Sequence, residues 1–121
     1  MRSELFGRAL RLSAYVGESD TYDDRPLYVA LVEQARAAGC AGATVLRGIT
    51  GFGATSRLHA RYDLRMSADL PLVVTVIDVE SRIVALAEVF GAMVSDGLIT
   101  LEEVEVVMYR GGVTGGPEGE G

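Results

Sequence analysis

Pro71-Leu72-Val73-Val74-Thr75-Val76-Ile77 is apolar at both odd and even positions, and few places in a folded chain accept such a run. A strand turns successive side chains to opposite faces, so one that is apolar on both belongs in the middle of a sheet. Leu72, Val74 and Val76 would then pack on one side, with Val73 and Ile77 on the other. The rest of the chain has to supply cover for both.

The flanking segments supply it on one side. Leu10, Leu12, Ala14 and Val16 alternate with Arg11, Ser13 and Tyr15, the period of a half-buried strand that Gly17-Glu18-Ser19-Asp20 breaks. Asp23-Asp24-Arg25-Pro26 reads as a helix start, with acids at the N-terminal dipole and proline in the first turn. Leu27, Leu31, Gln34/Ala35 and Ala38 continue it at helical spacing, and Gly39 stops it. A second strand spans about Ala43 to Ile49. After the central strand, Asp78 or Ser81 caps a helix whose inward face is Ile83, Leu86/Ala87, Phe90 and Val94. Asp96-Gly97 ends it, and Ile99 to Tyr109 forms the last strand.

The order is β-α-β-β-α-β. Right-handed crossovers lead it to an α+β ferredoxin-like sandwich, two helices on one face of a four-stranded antiparallel sheet. One domain over residues 1–110 is expected, followed by a disordered glycine- and acid-rich tail at 111–121. The second sheet face, carrying Val73 and Ile77, has no helix left to cover it. A closed homo-oligomer is therefore predicted.

Composition narrows the function classes. The 121 residues carry a net charge of −6, which argues against nucleic-acid binding. No apolar run is long enough to span a bilayer and the N-terminus lacks a secretory signal, so a cytoplasmic protein that is not membrane-embedded is expected. The single cysteine, Cys40, precludes an internal disulfide and fits that compartment. His59 is the only histidine, no serine lies in a nucleophile elbow, and Glu102, Glu103 and Glu105 suit a solvated strand edge. No catalytic residues and no metal ligands emerge; the chain does not read as an enzyme.

Arg47-Gly48-Ile49-Thr50-Gly51-Phe52-Gly53 is the segment most suited to a ligand. Its glycines allow close backbone approach, and a strand running into such a loop can align N–H groups around an anion. Arg57, His59, Arg61 and Arg65 follow in a polar excursion over 54–70. That cluster reads either as a solvated loop or subunit contact or as anion partners.

Thr44-Val45 followed by Gly51-Phe52-Gly53 resembles the corresponding stretch of the PII nitrogen-regulatory signalling proteins, and Asp96-Gly97-Leu98-Ile99 resembles part of their phosphate-binding loop. Tyr15-Val16-Gly17-Glu18, the Arg47–Gly53 run and Asp69-Leu70-Pro71-Leu72-Val73 resemble more closely a PII-like family labelled as a domain of unknown function, over about Leu5 to Tyr109. The resemblance implies a homotrimer with an adenine nucleotide or other small anionic ligand in clefts between subunits. Thr44, Arg47, Gly51, Phe52 and Gly53 would line one wall, and Asp96 and Gly97 the other. The loop bearing Arg57, His59, Arg61 and Arg65 would contact a regulated protein, for example a membrane transporter or channel. Leu98 replaces the family's phosphate-contacting lysine, leaving a smaller or less charged ligand open. The alternatives are a ligand-independent interaction or scaffold protein, or a trimeric metal-binding protein similar to the copper-tolerance proteins of this fold.

Overall fold

A computed structural model describes residues 5–52 and 69–111. Strand β1 runs over Gly7–Gly17, a hairpin follows from β2 (Thr21–Tyr22) and β3 (Arg25–Pro26), then helix α1 (Leu27–Ala37) and strand β4 (Thr44–Arg47). After the segment over 48–70 come β5 (Pro71–Asp78), α2 (Glu80–Met93) and β6 (Leu98–Val106). The four long strands pair antiparallel in the order β4-β5-β1-β6, so the Pro71 run lies beside β1 inside the sheet. This is the ferredoxin-like α+β sandwich expected.

Both helices pack on one face. Leu12, Ala14 and Val16 of β1 and Leu72, Val74 and Val76 of β5 meet Leu27, Ala30, Leu31 and Ala35 of α1 and Ile83, Leu86, Phe90 and Met93 of α2 in a single core. Phe90, Leu12, Leu31 and Ile83 are its largest fully buried members.

The register orders the opposite face into rows. Leu46, Val73, Tyr15 and Leu98 stand side by side across all four strands. Next to them Thr44, Thr75, Ser13 and Thr100 form a hydroxyl row, then Ile77, Arg11 and Glu102 a mixed one. Leu46, Tyr15 and Leu98 are exposed and Val73 half-buried. The face expected to be apolar is thus apolar at one end and polar towards the other.

Three expectations are corrected. Asp23 and Asp24 do not start a helix; with φ of 56° and 66° they are the central pair of a two-residue hairpin turn joining β2 to β3. Such a turn needs positive φ at both positions, and aspartate tolerates it better than most residues. Pro26 caps α1 without a side-chain bond, and the Leu27 N–H is taken by the Asp20 carbonyl at 2.8 Å. Neither Asp78 nor Ser81 is the N-cap of α2; Val79 is, without a side-chain cap. Asp78 is buried at the end of β5 and instead accepts from the backbone N–H groups of Val79 and Ala41, each at 2.7 Å, and from Arg82. The β4 and β6 strands are shorter than expected, and the 111–121 tail lies outside the described residues beyond Gly111.

Candidate functional site

The two stems of the 48–70 segment leave the sheet from adjacent strands, β4 and β5. Gly48 N–H donates to the Pro71 carbonyl at 2.7 Å, and a Cβ on Gly48 would come within 2.8 Å of the Pro71 ring. The second stem is tied to the turn after β1: Glu18 N–H reaches the Leu70 carbonyl at 2.8 Å, and Ser19 N–H reaches the Asp69 carboxylate at 3.1 Å. Asp20 accepts the Gly17 N–H and shapes the same turn. Arg47 closes the bundle by donating from Nη2 to Glu18 Oε2 at 2.8 Å. These contacts fix where the segment begins and ends.

Gly51 and Phe52 project from the first stem. Gly51 has a φ of 149° and sits against the Pro71 ring, while Phe52 is 71% exposed and neighbouring Ile49 is exposed too. An exposed aromatic on a clamped stem offers a platform for stacking or for a subunit contact. Gly53, Arg57, His59, Arg61 and Arg65 lie outside the described residues.

Asp96 and Gly97 form the turn before β6. A Cβ on Gly97 would lie 2.6 Å from the Tyr15 carbonyl, so only glycine lets this turn approach β1 so closely. Gly97 and Gly51 are at the same end of the sheet but on opposite edges, since β4 and β6 flank β5 and β1. Three strand spacings separate those edges, about 14 Å. Within one protomer the two walls therefore do not meet.

Thr44 also stands apart. It opens β4 on the uncovered face, about 10 Å along the strand from Arg47, whose side chain belongs to the other face. There Thr44 lines a groove of about 380 Å³ with Thr75, Ile77, Met108, Tyr109 and Leu5. The groove and the C-terminal segment over Val107–Tyr109 that borders it were missed by the sequence reading. Val107 and Met108 continued the alternation of a strand and carried no signal that pairing stops at Val106. Among the described residues no group of three or more His, Cys, Asp or Glu side chains is placed to hold a metal ion. None of their helices is long and apolar enough to cross a membrane.

The family model DUF190, described as an uncharacterized ACR, matches residues 9–106, which take in both helices and all of the long strands but the first two residues of β1. The chain belongs to the DUF190 family. A UPF0166 protein of Aquifex aeolicus is 38% identical over 97 residues, covering 79% of this chain and 90% of that protein. The solved structure of CPII from Thiomonas intermedia K12, bound to ADP and bicarbonate, superposes with a TM-score of 0.57 at 15% identity, covering 84% of this chain and 90% of that one. A putative PII-like signalling protein from Thermus thermophilus gives 0.55 at 22% identity over 82% and 90%. The DUF190 chain therefore has a PII-like fold, as the resemblance implied.

Proposed function

We propose that this DUF190 protein is a PII-like sensor, a homotrimer that holds a small anionic or nucleotide-like ligand between subunits and regulates a partner protein through the segment after β4. One observation carries the reading: Gly51-Phe52 and Asp96-Gly97 lie at the same end of the sheet on opposite edges. A ring of copies placed side by side sets the β4 edge of one against the β6 edge of the next, and both walls then face one cleft. The row Leu46, Val73, Tyr15 and Leu98, at that same end and exposed except at half-buried Val73, supplies apolar surface for the ring to bury. The clamped stems support a switching role, because a ligand at Phe52 acts directly on the base of the segment that would meet the partner.

The role proposed is binding rather than catalysis. Isothermal titration of the purified protein with ATP, ADP, AMP and cyclic nucleotides, with and without bicarbonate, tests it. Saturable heat from one of them, with affinity about tenfold weaker in Phe52→Ala, supports the reading. No heat and no thermal shift with any of them removes the nucleotide version. Deleting residues 57–65 separates the alternatives. A ligand-dependent pull-down of the partner lost on deletion fits the sensor, whereas a pull-down indifferent to ligand fits a scaffold.

A further inference from the structure

Arg47 is the described cation nearest in sequence to the Gly51-Phe52 wall, and its guanidinium is already engaged by the Glu18 carboxylate at 2.8 Å. Asp20 and Asp69 hold the neighbouring turn through the Gly17 and Ser19 N–H groups, so Glu18 is the carboxylate an incoming anion meets on the arginine itself. The Arg47 and Glu18 side chains are both accessible to solvent, at 59% and 28%, so a ligand can compete for the arginine without unpacking the fold. A competing anion must displace Glu18 and then sit beside it, a cost that rises with each added negative charge.

We propose that Glu18 is a specificity-determining residue, a charge filter that reserves Arg47 for ligands of low negative charge and disfavours polyphosphates. The inference rests on the sensor reading above and names the ligand class for that site. The Glu18 backbone N–H, bonded to the Leu70 carbonyl, keeps the turn in place whatever the side chain, so the filter is separable from the clamp.

Titrations of wild type, Glu18→Gln and Arg47→Gln with adenosine, AMP and ADP at low and high salt test it. In Glu18→Gln, ADP affinity rises about two- to five-fold at low salt, the size of an exposed ion pair. The gain is smaller for AMP, absent for adenosine, and shrinks at high salt. Arg47→Gln weakens ADP towards adenosine. A merely structural Glu18 would shift all three ligands alike, and that result, or an unchanged or weaker ADP affinity in Glu18→Gln while wild type binds, overturns the filter alone. If none of the three proteins binds any of the three ligands, the nucleotide sensor reading falls and the filter falls with it.

Discussion

Arg11 and Glu102 stand directly opposite each other on β1 and β6, Arg11 Nε 2.7 Å from Glu102 Oε1, on the side of the sheet that no helix covers. In a lone protomer this is a solvated ion pair, and Glu102→Gln would cost under about 1 kcal/mol. If the proposed assembly covers this row as well, the same change leaves a buried guanidinium without its carboxylate, which is far more costly. Glu102→Gln is therefore predicted to leave the helix signal intact but to raise the concentration at which assemblies dissociate by roughly tenfold or more. Light scattering on dilution reads this out.

Phe52 separates binding from folding. A side chain 71% exposed contributes little to the protomer's core, so Phe52→Ala is expected to change unfolding free energy by no more than about 0.5 kcal/mol. Ligand affinity should fall by much more, about tenfold for the loss of a stacking surface. Urea unfolding and titration calorimetry on one preparation check both halves.

Gly48 and Gly97 are required by close approach. A methyl at Gly97 meets the Tyr15 carbonyl at 2.6 Å, and one at Gly48 meets the Pro71 ring at 2.8 Å. Gly97→Ala and Gly48→Ala are each predicted to destabilise by about 1–3 kcal/mol. Gly42→Ala, where an added Cβ meets nothing, serves as the near-neutral control in the same urea series.

Asp78 pins the chain just ahead of β4. Only 1% exposed, it takes the Ala41 N–H and the Arg82 guanidinium, so Asp78→Ala leaves partly buried donors unpaired and should cost about 1–3 kcal/mol. Asp78→Asn keeps an acceptor and should cost less. Hydrogen exchange at Ala41, faster in Asp78→Ala than at core amides such as Val74, tests whether the loss is local to the α1–β4 connection.

The parts of this fold that were legible in the sequence are those set by periodicity. Pro71–Ile77 marked its place inside the sheet because both faces were apolar, and Ile83, Leu86 and Phe90 marked α2 by their spacing. Asp23-Asp24 misled because acids before a proline suit a helix start as well as they suit a left-handed turn. Asp78 misled because a carboxylate ahead of a helix suggests a cap, whereas one of its partners, the Ala41 N–H, belongs to a loop 37 positions away. At the site, Gly51 and Gly97 were visible as residues with special backbone freedom and Phe52 as an aromatic between glycines, and their placement on opposite edges follows from strand order. Glu18 was invisible as a partner of Arg47, since nothing local joins residues 29 positions apart.

Sedimentation equilibrium at micromolar concentration, on wild type and on Val73→Asp, bears most directly on the claim that the uncovered sheet face assembles copies and so creates the clefts. The expected result is a wild-type mass about three times the 12.9 kDa chain and a folded protomer for Val73→Asp. A wild-type protein that sediments as a single chain, with Leu46, Tyr15 and Leu98 left in water, would contradict it.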